Sequence, residues 1–173
     1  MPKKFSVEIT NEQLQTFKKA ISDGKETEFV ENYIIEHKEV KEITNVNDVY
    51  SLLLIKAILK SDSELTFHIL SNVNKDNILA NIDKSGNSPI YVALMFNDEP
   101  VLKVIDNYLK KQKGQLEKAE IPGYMLNGMV NVVSLSTTAE TFMNNYIRPV
   151  YNEESINRMV EVIGEDNIYD VTY

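Results

Sequence analysis

The chain has no cysteine and no tryptophan among its 173 residues, and it has only two histidines. The absence of cysteine excludes disulfides, thiolate metal sites and cysteine nucleophiles together. The fold must therefore be held by the packing of ordinary side chains. The chain is also indifferent to the redox state of its compartment.

Long hydrophobic runs are absent as well. The longest aliphatic run is Leu52-Leu53-Leu54-Ile55, whereas a helix that crosses a bilayer needs about 20 apolar residues. Near the start, Lys3 and Lys4 are followed by acidic and polar residues before any apolar region of signal-peptide length. We therefore expect a soluble, cytoplasmic protein, with specialised export into a host cell as an open alternative.

Positive charge is scarce, because 18 basic residues face 26 acidic ones and the formal net charge is -8. A negative field repels phosphate backbones and anionic lipid headgroups. We therefore expect no nucleic-acid partner and no membrane partner. The oligomeric state is not indicated. With 43% hydrophobic and 25% charged residues, the composition is that of an ordinary globular protein, and we expect residues 1–173 to form one domain.

The sequence also lacks recognisable catalytic patterns. Neither His37 nor His68 has an acidic or histidine residue at i+4, and there is no glycine-rich phosphate loop and no Gly-x-Ser-x-Gly turn. We therefore predict no catalytic residue, no metal site and no cofactor. The alternative is an enzyme whose site is assembled from distant segments around His37 or His68, which needs an imidazole within reach of a carboxylate and a Ser or Thr hydroxyl.

The apolar residues that are present recur at helical spacing between polar breaks. The predicted helices, mostly in pairs, span about residues 11–23 and 26–37, 49–58 and 65–73, 88–96 and 99–111, and then 125–135, 137–147 and 153–163. The helix at 49–58 is apolar nearly all round, which is typical of a helix with neighbours on both sides. The pattern predicts an all-α fold built from helical hairpins.

Capping patterns predict where several helices begin. Thr10 and Gln13 form a capping box before the first helix, and Thr137 with Glu140 forms another. Ser63 is placed to cap the helix at 65–73. These signals define the starts of the first, fourth and eighth predicted helices.

One hairpin carries a specific connecting motif, and the pattern recurs more faintly before it. Alanines 20, 57 and 93 stand at matching points, spaced by 37 and 36 residues. The motif reads Asp83-x-x-Gly86-x-Ser88-Pro89-Ile90-Tyr91-x-Ala93. It resembles the ankyrin repeat, in which the corresponding residues are Asp-x-x-Gly-x-Thr-Pro-Leu-His-x-Ala, and the similarity is best over residues 83–105.

The resemblance implies a solenoid of about three to four repeats over residues 11–112. An irregular helical unit at 122–164 would cap it, and residues 1–9 and 165–173 would be tails. Ser88 and Tyr91 depart from the family's Thr and His, and the spacing exceeds the usual repeat length. Another helical-hairpin solenoid therefore stays open as an alternative.

In ankyrin-like folds the turn tips and the exposed ends of the first helices form a concave binding surface. Carried over to this chain, the resemblance implies a partner-binding surface made of Leu59, Lys60, Lys84, Ser85, Asn87, Met95 and Phe96. Leu59, Met95 and Phe96 would be its apolar centre within a polar rim. The alternative is that Met95 and Phe96 belong to the core.

These features favour a noncatalytic protein-interaction module that inhibits or recruits a protein partner. A second interpretation is an acidic antagonist, such as an immunity or regulatory protein, that occludes a basic active site. Strong salt dependence of binding would favour the second.

Overall fold

A computed structural model describes residues 2–73, 77–112, 116, 119–132 and 136–151. Within these ranges the chain is helical, without a β-strand, which confirms the all-α class. The helices are α1 (Asn11–Ser22), α2 (Glu26–Glu36), α3 (Val46–Leu59), α4 (Ser63–Ser71), α5 (Pro89–Phe96), α6 (Glu99–Lys111), α7 (Gly123–Val132), α8 (Thr137–Phe142) and a π-helical segment, Met143–Ile147.

The predicted capping box before α1 is confirmed. The Gln13 amide donates to the Thr10 hydroxyl at 3.1 Å, and the Thr10 amide donates to Gln13 Oε1 at 2.9 Å. At α5, Ser88 caps the helix and Pro89 takes the first turn, where its missing N–H costs little. Local hydrogen bonding thus fixes these helix starts.

Two other predicted caps are wrong by one residue. Asp62, not Ser63, caps α4 by accepting the Leu65 amide at 3.0 Å. Likewise Ser136, not Thr137, caps α8. In both cases the predicted residue is already helical, and the cap must come from the residue just before the helix.

The helices pack as neighbouring hairpins. The helices α1 and α2, α3 and α4, and α5 and α6 contact each other within their pairs. Between pairs, α1 contacts α3, α3 contacts α5 and α5 contacts α7, while α4 contacts α6 and α6 contacts α8. Ala20, Ala57 and Ala93 therefore lie on helices that follow one another in space.

Helix α3 is at the centre of the core. It contacts α1, α2, α4 and α5, so that apolar side chains on every side of it are buried, including Leu52, Leu53, Leu54 and Ile58. Burying one such side chain contributes about 2 kcal/mol. The prediction of a helix with neighbours on both sides is confirmed.

The beginning of the chain, expected to be a tail over residues 1–9, is instead packed into the fold from residue 3 onward. The Phe5 amide donates to Ile82 O at 2.8 Å, and the Ile82 amide donates to Lys3 O at 2.8 Å. Lys4 and Ile82 form a parallel bridge, and the side chains of Phe5 and Ile9 are buried. Phe5 and Ile9 thus belong to the hydrophobic core, and half-buried Val7 packs against it.

Other predictions fall wholly or partly outside the described residues. The helix at 153–163 and the tail at 165–173 lie beyond residue 151, the last described position. The helix predicted at 125–135 is described as far as Val132, and it begins earlier than predicted, at Gly123. The helix predicted at 137–147 is observed, with π-helical geometry in its last five residues.

Candidate functional site

The turn before α5 is held by one buried carboxylate. Asp83 Oδ1 accepts the Ser85 amide at 2.9 Å and the Asn87 amide at 3.0 Å, and the Asp83 amide donates to Asn87 O at 2.9 Å. Burial raises the pKa of Asp83 even though these amides lower it. The turn presents Lys84 and Ser85 to solvent and leaves Asn87 half-buried.

Two further contacts fix the tip of this turn. The Tyr124 hydroxyl donates to Gly86 O at 2.6 Å, and Gly86 has the left-handed φ of 82° that favours glycine. The Ser85 hydroxyl donates to the carboxylate of Glu8. Ser85, a predicted site residue, thus has an engaged side chain, and sequence reasoning missed Glu8 as its partner.

The end of α5 separates Met95 from Phe96. Phe96 is 58% exposed, which excludes the core alternative for this residue. Met95 is half-buried, with Sδ 3.2 Å from where a Cβ on Gly128 of α7 would lie. Because Asn97 adopts the left-handed conformation and ends the helix, Phe96 projects at the helix terminus.

The end of α3 supplies the other two predicted residues. Lys60 is exposed just after the helix, and Leu59 is half-buried against the core. Since α3 contacts α5, both predicted pairs lie at the C-terminal ends of neighbouring helices. The predicted apolar centre is therefore one exposed ring, Phe96, with two partly covered side chains.

A second exposed aromatic residue, Phe67 on α4, was missed by sequence reasoning. It is 62% exposed and borders a cleft of about 290 Å³ between α4 and α6. The cleft is lined by Phe67, Leu70, Ser71, Val104, Asn107, Tyr108, Lys111 and Gln112. A signal was present, because the buried stripe of α4 (Leu65, Ile69 and Leu70) puts Phe67 out of phase.

His68 contacts a carboxylate, which is one of the groups that the alternative of an enzyme site around a histidine requires. His68 Nε2 lies 2.7 Å from Glu26 Oε2, and the Tyr50 hydroxyl donates to Glu26 Oε1 at 3.2 Å. Burial and the charge of Glu26 raise the pKa of Tyr50 to about 12. Among the described residues, no Ser or Thr hydroxyl joins this cluster. The cluster connects α2, α3 and α4.

His37 is engaged within its own helix. Its Nδ1 lies 2.9 Å from the Tyr33 carbonyl oxygen, and its ring stacks on Tyr33 with centroids 4.0 Å apart and 21° between the planes. Because a carbonyl oxygen can only accept, Nδ1 is the donor and Nε2 is the acceptor nitrogen of this ring. The second histidine therefore has a structural contact of its own.

In the part of the chain that the structure describes, no group of three or more His, Asp or Glu residues could hold a metal ion. None of the helices described combines the length and the apolar character that a membrane crossing requires.

Comparison of the chain with protein-family models, with curated proteins and with solved structures gives no match. The resemblance to ankyrin repeats therefore depends on the sequence motif of residues 83–93 alone.

Proposed function

We propose that the protein is a cytoplasmic, noncatalytic interaction module in which an ankyrin-like stack of three to four helical hairpins binds a partner protein. The order of helix contacts supports the stack, since first helices α1, α3, α5 and α7 follow one another. The turn held by Asp83 supports it too, because such turns connect the hairpins of ankyrin-like proteins. The module acts by shape and burial and either inhibits or recruits its partner.

The observation that carries the binding role is the exposure of Phe96. A large aromatic ring that is 58% exposed at a helix end leaves much of its surface to be buried by a partner. Buried aromatic anchors typically contribute about 2 kcal/mol or more to a protein interface. The remaining residues of the proposed surface are Leu59, Lys60, Lys84, Ser85, Asn87 and Met95, of which Lys60, Lys84 and Ser85 are exposed.

A matched pair of phenylalanines tests this placement. Phe96 and Phe67 are similarly exposed, but Phe96 ends a first helix and Phe67 lies on a second helix. We expect tagged protein carrying Phe96→Glu to lose its partner in affinity purification with mass spectrometry, while Phe67→Glu retains it. Both variants should melt within a few degrees of the wild-type protein, because neither ring is buried.

The opposite result would contradict the proposal. If Phe67→Glu abolishes capture of the partner and Phe96→Glu does not, the binding surface lies on the second helices. A Phe96→Glu variant that loses its partner only because it is unfolded would also count against the surface, since the ring would then be structural. Far-UV circular dichroism at the purification temperature separates these cases.

The net charge of -8 favours a second candidate, an acidic antagonist that covers a basic active site. Binding driven by opposite charges weakens steeply as salt is added, whereas binding around an apolar anchor is much less sensitive. Measurement of the dissociation constant between about 50 mM and about 500 mM salt therefore separates the two functions.

A further inference from the structure

The segment of residues 3–8, which we call the strap, pairs with the chain just before α5. The Phe5 amide donates to Ile82 O at 2.8 Å, and the Lys84 amide donates to Val7 O at 3.4 Å. Lys84 belongs to the turn held by Asp83, so the pairing continues from Ile82 into the turn itself. The strap is thus joined to this turn through backbone atoms.

Contacts outside the turn hold the strap in place. The ammonium group of Lys3 lies 2.8 Å from Asp48 Oδ1, 3.1 Å from the Thr44 hydroxyl oxygen and 3.3 Å from Glu42 O, at the start of α3. The side chain of Phe5 is only 4% exposed and belongs to the hydrophobic core. One end of the strap is therefore anchored on the body of the fold.

The other end of the strap contacts the exposed tip of the turn. The half-buried Glu8 side chain accepts the Ser85 hydroxyl at its carboxylate. The Ser85 amide donates to Asp83 Oδ1 at 2.9 Å, and the Tyr124 hydroxyl donates to Gly86 O at 2.6 Å. The tip is thus held by three parts of the chain, which are the turn's own carboxylate, the strap and α7.

This turn carries part of the proposed partner surface, namely Lys84, Ser85 and Asn87. A short exposed turn without outside contacts samples several conformations, and a partner that binds it must order it at a cost in affinity. The strap contacts both the backbone of Lys84 and the side chain of Ser85. It therefore orders the turn before any partner arrives.

We propose that the strap is a positioning element that fixes the turn of residues 83–87 for the partner, so that its release loosens the turn and weakens binding. The proposal rests on the proposed function, because it concerns the same surface. Phe5 anchors the strap, and Val7 and Glu8 hold the tip, although none of the three belongs to the proposed partner surface.

Amide hydrogen exchange of the full chain, labelled with ¹⁵N and followed by NMR, tests the effect on the turn without a partner. In Phe5→Ala the buried anchor is lost, and the amides of Ile82, Lys84 and Ser85 should accelerate about tenfold more than those of α6. The matched control is Ile105→Ala, which removes a fully buried side chain of α6 and destabilises the fold comparably.

The two variants separate local release from general destabilisation. In Ile105→Ala the amides of the turn should accelerate no more than those of α6 do. Equal acceleration of the turn and of α6 in Phe5→Ala would overturn the proposal, since the ring would then stabilise only the fold as a whole.

Glu8→Ala tests the contact at the tip and leaves the core untouched. The amides of Lys84 and Ser85 should exchange about fivefold faster, because the hydroxyl of Ser85 loses its acceptor. Glu8→Gln keeps an acceptor oxygen and should restore slow exchange. The control is Glu31→Ala, at an exposed position of α2. Unchanged exchange in Glu8→Ala, or equal acceleration in Glu31→Ala, would contradict the proposal.

Partner capture distinguishes failure of this proposal from failure of the proposed function. Tagged Glu8→Ala protein, shown to be folded by circular dichroism, should bind about fivefold more weakly the partner that the wild type retains. If Glu8→Ala and Phe5→Ala bind as the wild type does while Phe96→Glu loses the partner, the proposal is overturned and the proposed function stands. If Phe96→Glu retains the partner, the proposed function fails, and this proposal fails with it.

Discussion

Asp48 is a buried carboxylate in the first turn of α3, and its removal should destabilise the protein strongly. It is only 3% exposed. Its Oδ2 accepts the Thr44 amide at 2.8 Å and the Asn45 amide at 3.1 Å, and the Asp48 amide in turn donates to Asn45 Oδ1 at 3.2 Å. Lys3 Nζ lies 2.8 Å from Asp48 Oδ1. One side chain thus serves the start of α3 and the beginning of the chain.

The expected cost of Asp48→Ala follows from these contacts. The Thr44 amide, the Thr44 hydroxyl and the Asn45 amide, whose bond closes the capping box, each lose their acceptor at a cost of about 1 kcal/mol. The ion pair contributes little more, because the Lys3 side chain is 39% exposed and regains water. The sum is about 3 kcal/mol, which for a chain of this size lowers the melting temperature by roughly 6–12 °C.

Urea denaturation followed by far-UV circular dichroism measures this loss, with two variants as controls. Asp48→Asn retains one acceptor oxygen and should lose about half as much stability as Asp48→Ala. Lys3→Met should lose less than about 1 kcal/mol. The reasoning is refuted if Asp48→Ala is within about 0.5 kcal/mol of the wild type, or if Lys3→Met is as damaging as Asp48→Ala.

Five other changes have defined outcomes in denaturation experiments. Phe96→Ala should cost only about 0.5 kcal/mol, because less than half of the ring is buried, whereas Phe17→Ala, in the core, should cost about 3–5 kcal/mol. Tyr33→Phe should leave stability unchanged or raise it by about 1 kcal/mol, since the lost hydroxyl has no partner among the described residues. Asp83→Asn should stabilise the protein at pH 7. Burial raises the folded-state pKa of Asp83, so the wild-type protein loses stability as the pH rises above about 4. The advantage of the Asn variant should therefore disappear below that pH. Gly128→Val should cost about 1–3 kcal/mol through overpacking; no loss would contradict the close approach of α5 and α7.

Features encoded within a few residues could be predicted from the sequence. The bounds of α6, Glu99–Lys111, agree with the prediction at both ends. Asp98 caps this helix and Pro100 stands in its first turn, so that local chemistry defines its start. The all-α class followed in the same way, because helical periodicity is a property of short windows of sequence.

Features that join distant residues could not be predicted. His68 and Glu26 are 42 positions apart, and Lys3 and Asp48 are 45 apart. No local pattern states which helix faces will meet, and these polar pairs depend on how the apolar faces pack. For the same reason the sequence left open whether the Phe96 side chain is exposed or belongs to the core.

The hydrogen bonds of residues 3–5 with residues 81–82, just before α5, close a long loop of the chain. The Lys3 amide donates to Asn81 Oδ1 at 2.9 Å across 78 positions of sequence. In an open stack each hairpin contacts only its neighbours, and such molecules can unfold from either end. Here the contacts of residues 3–5 with residues 81–82 join the two ends of the segment that contains the first two hairpins. Separate unfolding of these hairpins requires those contacts to break first, so the amides of α1 through α4 should exchange with solvent as one cooperative block.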